Sequence, residues 1–135
     1  RALVEAPESW STPQDKLRSP EEFIAASLRA VDVPTDVGPL QTVMNVLGTP
    51  IWRAPGPNGY PIDSAAWLAP ESIASRLDVA LQLAHRARTP LEPDAVAASV
   101  LGSRLASETK QAMGRAETRE QAFALLLMAP EFQRR

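Results

Sequence analysis

The segment from residue 118 to residue 130 reads TREQAFALLLMAP. Every position of Ala122–Ala129 is apolar or alanine, so a helix formed here would be hydrophobic on all sides. Thr118 is a favoured N-cap residue, Gln121 stands at the capping-box position, and Pro130 cannot continue the helix. We therefore predict a central, buried helix that other helices surround.

Similar helix start and stop signals recur in the rest of the chain, where amphipathic segments begin at Ser or Pro and end at Gly or Pro. A capping box is predicted at Ser19–Glu22, where Ser19 would cap the helix and Glu22 would return the hydrogen bond. Phe132 is expected to fold back on the core. Further helices are predicted at 1–6, from Pro20, from about Gly38, at 70–87, from Pro93 to Gly102, and at 107–113.

The longest predicted helix runs from Pro70 to about Ala87. Ile73, Leu77 and Leu81 are four residues apart, so they would share one face of the helix. We predict that this face is buried together with Ala84, and that Val79 and Leu83 widen it. Arg76 would lie off this face.

These patterns predict an all-α fold: a bundle of five or six short-to-medium helices in a single domain spanning residues 1–135. The chain has 135 residues, of which 44% are hydrophobic but only 5% aromatic. Alanine and leucine must therefore fill the core, a composition typical of helices. The sequence shows no strand pattern of convincing length and no internal repeat.

One segment without helical periodicity interrupts the bundle, a long Pro-, Gly- and Trp-rich loop at about 48–69. Residues 48–68 read GTPIWRAPGPNGYPIDSAAWL and hold two of the three Trp residues and the only Tyr. Asn58-Gly59 is expected to form a tight turn with positive φ values, stiffened by Pro57 and Pro61. A loop of this length is either held by packing or used for binding.

Composition excludes several classes of function. The chain has no Cys, so it has no disulfide, thiolate metal site or Cys nucleophile. Its net charge is −2 without a concentrated basic segment, which argues against nucleic-acid binding. The longest apolar run is too short to span a membrane. Because the chain opens at Arg1 without Met, we expect that it is a piece of a longer protein. The sequence does not distinguish a cytoplasmic protein from one exported to the envelope.

The loop and the helix starts also carry a family resemblance. The segments that carry it stand in this order: Leu17–Phe23 (LRSPEEF), Leu28–Ala30 (LRA), Leu47–Trp52 (LGTPIW), Pro55–Pro61 (PGPNGYP), Trp67-Leu68, Arg76-Leu77 and Ala129–Arg135 (APEFQRR). The chain resembles the C-terminal part of the bacterial family catalogued as "domain of unknown function 1800". In that family a Leu-Gly-Gln/Thr-Pro step leads to Pro-Asn-Gly-Trp/Tyr-Pro, then Trp-Leu, then Pro-Glu-Phe-Gln.

The resemblance implies a helical fold and a parent protein of unknown activity that is several times longer than this chain. Members are often encoded beside a second uncharacterised family that resembles sulfatases, and many carry export signals. The resemblance supplies no catalytic residues, and none is assigned here.

The candidate binding residues are Trp52, Asn58, Tyr60 and Trp67 in the loop and Arg76 in the following helix. In a structural interpretation, the three aromatic side chains pack on the helix that starts at Pro70, and Asn58 bonds to backbone. In a functional interpretation, they form a rigid aromatic wall for a peptide, a glycan or a partner protein. Arg76 would hold loop carbonyls or, alternatively, bind an anion.

No catalytic or metal-binding residue and no cofactor is predicted. His85 is the only His, and the chain contains no G-x-S-x-G pattern to complete a triad with it. Two acidic pairs, Asp32/Asp36 and Glu92/Asp94, are interpreted as caps and solvated loop ends. Trp10 is expected to pack as a peripheral anchor.

Three functional hypotheses follow. The leading one is a non-catalytic helical structural or protein-interaction module, whose partner is another protein or a missing N-terminal part, with a homodimer also possible. The second is a substrate-binding part of a larger hydrolase-like enzyme. The third is a small-ligand carrier with its ligand between the loop and the helix from Pro70, lined by Trp52, Trp67 and Leu77.

Overall fold

The computed structural model describes residues 2–7, 16–33, 37–88 and 90–135. Trp10 and Asp36 lie outside these residues. The described helices are α1 (Ala2–Glu5), α2 (Pro20–Val31), α3 (Val37–Val46), α4 (Pro70–His85), α5 (Pro93–Leu101), α6 (Ser107–Gly114), α7 (Arg119–Met128) and α8 (Pro130–Gln133).

The all-α prediction is confirmed. Six of the described helices, α2 to α7, have eight residues or more. Short 3₁₀ turns lie at Ser64–Trp67 and Gly102–Arg104. The described residues contain no β-strand, and their β-pairing is an isolated antiparallel bridge between Leu17 and Arg134.

Helix α7 is the centre of the bundle, as its all-round apolar sequence predicts. It packs against α4, α5, α6 and α8. The Thr118 hydroxyl accepts a 3.1 Å hydrogen bond from the backbone N–H of Gln121, which caps the helix. The Gln121 side chain turns back to accept from the N–H of Glu117, one residue before the position that a capping box requires. The buried residues of α7 are Ala122, Phe123, Ala124, Leu126 and Leu127.

Pro130 ends α7 but also starts a new helix. With no N–H to donate and a φ suited to helix, proline fits the first position of α8. The sequence predicts only the stop. The turn between the two helices brings Phe132 back against the core, where its side chain is fully buried, as expected.

Helix α2 begins with the predicted capping box. The Ser19 hydroxyl accepts from the N–H of Glu22, and the Glu22 carboxylate accepts from the N–H of Ser19 at 2.9 Å. The helix ends at Asp32, whose left-handed backbone (φ 51°) closes its last turn. Phe23 and Val31 are fully buried, so α2 joins its inner face to the common core.

The predicted buried face of α4 is wrong for its central stripe. Ile73, Leu77 and Leu81 remain 42%, 44% and 45% exposed. The side that meets α7 and α2 is turned by about 100°, roughly one residue position. Of the predicted residues, Ala84 and the two that widen the face, Val79 and Leu83, lie on the buried side. The buried residues of α4 are Arg76, Val79, Ala80, Leu83 and Ala84. The apolar surface of α4 is wider than the area that the neighbouring helices bury. An apolar stripe of this helix therefore stays exposed to solvent.

Candidate functional site

The loop between α3 and α4 is held in place by its own polar contacts. The Tyr60 hydroxyl donates a hydrogen bond to the Pro50 carbonyl, which closes the loop on itself. The Asp63 carboxylate accepts from the N–H of Ala65 at 3.2 Å and caps the 3₁₀ turn. The Ser64 hydroxyl accepts from the N–H of Leu17 at 3.1 Å. These bonds join the first half of the loop to its second half, and the second half to the segment before α2.

The tight turn at the tip forms where the sequence predicts it. The Gly59 N–H donates to the Gly56 carbonyl at 3.1 Å. Gly59 has a positive φ of 78°, whereas Asn58 does not have the positive φ that we expected for it. With Pro57 at the second position, Asn58 fits the third position of a type I turn without a left-handed backbone. Asn58 is exposed at this tip.

Trp67 is the structural tryptophan of the loop. Its side chain is buried, with 7% exposed, and its indole N–H donates to the Pro61 carbonyl at 3.2 Å. A buried indole with its single donor satisfied adds a large apolar contact at no polar cost. Trp67 is therefore buried, whereas its packing on α4 stays a prediction.

Trp52 points the other way. Its side chain is 98% exposed, and its backbone has a positive φ of 62°. A left-handed backbone costs a bulky residue about 1–2 kcal/mol. The expectation that Trp52 packs on α4 is wrong, because the turn at residues 51–52 directs the indole into solvent.

The loop borders two hollows. Trp52 lines one of about 210 Å³ together with Gln41, Asn45, Ile51 and Arg53. Tyr60 and Trp67 line the other, of about 220 Å³, with Lys16, Leu17, Ser19, Glu21, Glu22, Pro61 and Ile62. The structure therefore brings Tyr60 and Trp67 together and places Trp52 apart from them. The expected hollow shared by Trp52, Trp67 and Leu77 does not match either one.

Arg76 is buried in α4 and contacts the segment that leads into α2. Only 3% of it is exposed, and its guanidinium donates to Gln133 Oε1 and to the Arg18 carbonyl, both at 2.7 Å. Its Cζ also lies 5.2 Å from the centre of the Phe23 ring. Burial lowers the pKa of Arg76. Arg76 bonds a carbonyl as predicted, but in the Lys16–Arg18 segment rather than in the loop.

Glu22 has a second role beside its cap. Burial would raise its pKa, but hydrogen bonds from Arg135 and Ser19 and the charges of Arg135 and Lys16 outweigh burial and lower it. The Arg135 guanidinium lies 2.5 Å from the Glu22 carboxylate. This pair joins the end of the chain to the start of α2, next to the hollow that Tyr60 lines.

Sequence reasoning missed a second arginine clamp. Arg119 donates to the carbonyls of Leu91, Arg88 and Ala87 at 2.8, 2.7 and 3.5 Å. Its guanidinium also lies 4.9 Å from the centre of the Phe123 ring. The only local signal is an Arg in the first turn of a helix, where the helix dipole disfavours a cation. The backbone carbonyls just beyond the end of α4 accept hydrogen bonds from this guanidinium and so stabilise its charge at that position.

Sequence reasoning also missed an apolar groove of about 440 Å³ between α2 and α3. Its two walls are amphipathic helices whose inner faces are buried, and the groove uses the residues at the edges of those faces. The residues that line it are Glu21, Ile24, Ala25, Leu28, Arg29, Leu40, Met44 and Ile51. In the sequence, Leu40, Val43, Met44 and Leu47 stand at i, i+3, i+4 and i+7, which indicates an apolar face for the α3 wall. The opening between the two walls depends on how the helices pack, which the sequence does not show.

Among the described residues, no group of three or more His, Asp or Glu side chains is placed to hold a metal ion. His85 is exposed in the last turn of α4. Within the same described ranges, no helix has both the length and the apolar character needed to cross a membrane.

Comparison with known proteins agrees with the motifs of the loop and the helix starts. No curated protein and no solved structure matches the chain significantly. The sequence profile of a family described as "Protein of unknown function (DUF1800)" matches residues 1–134, essentially the whole chain. The chain therefore belongs to the DUF1800 family of proteins of unknown function.

Proposed function

We propose that this chain is a non-catalytic helical module that binds protein through the surface around Trp52. The observation that carries the proposal is the contrast between two tryptophans of one loop: Trp67 is buried and Trp52 is 98% exposed. When a partner covers an exposed tryptophan, a large apolar area is removed from water, which favours binding.

The conformation of the loop supports this interpretation. Bonds at Tyr60, Asp63 and Ser64 hold the loop, so little conformational entropy remains to be lost when a partner covers it. Trp52 is also kept at an unfavourable φ by the turn. Strain of this kind persists where the surrounding structure imposes it, and it is concentrated at functional positions.

The neighbourhood of Trp52 has the composition of a binding surface. Ile51, 39% exposed, adjoins it, and Gln41, Asn45 and Arg53 complete the rim of the hollow. An aromatic anchor beside apolar area, with amide and guanidinium groups around it, is typical of protein interfaces. In this proposal the chain forms a single domain, and its partner is a second protein or another segment of the same gene product.

The proposal is tested by affinity purification of the intact protein from its native host, compared between wild type and Trp52→Ala. Leu81→Ala is the control, because it removes a partly exposed apolar side chain from α4 instead of the loop. We expect a partner that wild type and Leu81→Ala retain and that Trp52→Ala loses. Equal recovery by all three proteins would overturn the proposal.

A further inference from the structure

The groove between α2 and α3 extends the Trp52 surface. Ile51 lines both the groove and the hollow that contains Trp52, so the two adjoin at this residue. We propose that the groove binds an amphipathic helix of the partner protein. The inference rests on the proposed interaction function and specifies the form of the partner.

The spacing of the groove residues favours a helical occupant. The α2 wall uses Glu21, Ile24, Ala25, Leu28 and Arg29, spaced i, i+3, i+4, i+7 and i+8 along one helix face. Leu40 and Met44, four residues apart, form the same kind of ridge on α3. Two helical ridges that flank an opening receive the ridges of a third helix.

The depth of the groove agrees with this fit. Ile24 and Met44 form a nearly buried floor, with 4% and 5% exposed, while Leu28 and Leu40 are half-buried walls. The exposed residue in the middle of the α2 wall is Ala25, whose small side chain lets a partner helix approach closely. A partner helix would therefore cover Ala25 and place its own apolar side chains against the floor.

The charges at the two ends of the α2 wall argue for a helix over a lipid chain. Glu21 and Arg29 carry opposite charges and lie about 12 Å apart along α2. A helix with a basic residue near Glu21 and an acidic residue two turns away, near Arg29, complements both. An acyl chain has one headgroup and complements only one of them.

An extended peptide fits less well. Peptides that bind as strands add to the exposed edge of a sheet. The described residues offer no sheet edge, since their β-pairing is the isolated bridge between Leu17 and Arg134. The peptide mode that uses a hydrophobic groove of this kind is the helix-in-groove mode, in which an amphipathic helix lays its apolar face into the groove.

The test places the photo-crosslinking residue p-benzoylphenylalanine at position 25, 52 or 98 of the intact protein in its native host. Position 98 is the control, because Ala98 is an exposed helical alanine outside the groove. We expect positions 25 and 52 to crosslink to one partner, and position 98 not to do so. The peptide crosslinked at position 25 should carry apolar residues at helical spacing.

A synthetic peptide of that crosslinked segment then serves as the probe in fluorescence anisotropy. Ala25→Trp, which fills the groove, should weaken its binding at least tenfold, whereas Ala98→Trp should leave binding unchanged. The double reversal Glu21→Lys with Arg29→Glu should weaken binding and be rescued by reversing the peptide charges. Circular dichroism and thermal melting establish that each variant is folded.

Crosslinking from position 52 without crosslinking from position 25 would overturn the groove inference and leave the proposed interaction function standing. Crosslinking from neither position would overturn both. A crosslink from position 25 to a second copy of this chain, to a lipid or to a small molecule would also overturn the groove inference. The groove inference would also be overturned if Ala25→Trp did not change the affinity for the peptide.

Discussion

Arg76 Nη1 donates a 2.7 Å hydrogen bond to Gln133 Oε1, so the buried middle of α4 is joined to the last helix of the chain. Gln133 Nε2 in turn donates to the Leu127 carbonyl, also at 2.7 Å. The Gln133 carbonyl accepts from the N–H of Arg18. These bonds connect α4, α7, α8 and the segment before α2, and their removal is expected to destabilise the whole bundle.

Replacing Arg76 with methionine tests this clamp. Arg76→Met keeps an unbranched apolar stem but removes both donors, leaving Gln133 Oε1 and the Arg18 carbonyl without them. We expect the free energy of unfolding to fall by about 2–4 kcal/mol, measured by urea denaturation. Arg86→Met, an exposed matched change at the end of α4, should alter it by less than about 0.5 kcal/mol. Equal effects would contradict the clamp.

The two loop tryptophans should respond in opposite ways. Trp67→Ala removes a buried indole and its bond to Pro61, at an expected cost of about 3–5 kcal/mol. Trp52→Ala should change stability by less than about 0.5 kcal/mol. Trp52→Gly should be stabilising by up to about 1 kcal/mol, because glycine accepts the left-handed backbone without strain. Thermal and urea unfolding measure all three. A large loss for Trp52→Ala would mean that the indole packs inside the protein.

A matched pair of leucines tests which face of α4 is buried. Leu83→Ala should cost about 2–4 kcal/mol, because Leu83 is only 7% exposed. Leu77→Ala, on the exposed stripe, should cost less than about 1 kcal/mol. The reverse order in urea unfolding would show that the face containing Ile73 and Leu77 is the buried one.

The lowered pKa of Glu22 predicts how stability changes with pH. A carboxyl group whose pKa is lower in the folded state stabilises that state above its unfolded pKa. The contribution is lost as pH falls through the folded pKa. Glu22→Gln keeps a hydrogen-bond acceptor for the cap but removes the charge that pairs with Arg135. The wild-type melting temperature should exceed that of the variant at neutral pH, and the difference should close in acid. A difference that does not change with pH would exclude the ion pair as its cause.

Local signals predicted much of this fold. The cap at Ser19 and the positive φ of Gly59 depend on residues only a few positions apart, so they can be identified in sequence. The central position of α7 follows from its composition, because a helix without a polar face must be surrounded.

Long-range contacts were not predictable in the same way. The apolar arc of α4 is wider than the area its neighbours cover, and sequence alone does not say which part α7 will meet. Arg76 finds its acceptors 57 and 58 residues away, at Gln133 and Arg18. The opposite orientations of Trp52 and Trp67 likewise depend on the path of a loop whose residue types suit either environment. The binding roles of Trp52, Asn58, Tyr60, Trp67 and Arg76 stay predictions.

The most direct test of the central claim is the dissociation constant of the purified partner for wild-type protein and for Trp52→Ala, measured by isothermal titration calorimetry. If Trp52 anchors the interface, its loss should weaken binding at least tenfold, equivalent to about 1.4 kcal/mol, without lowering the melting temperature. The same dissociation constant for both proteins would contradict the account.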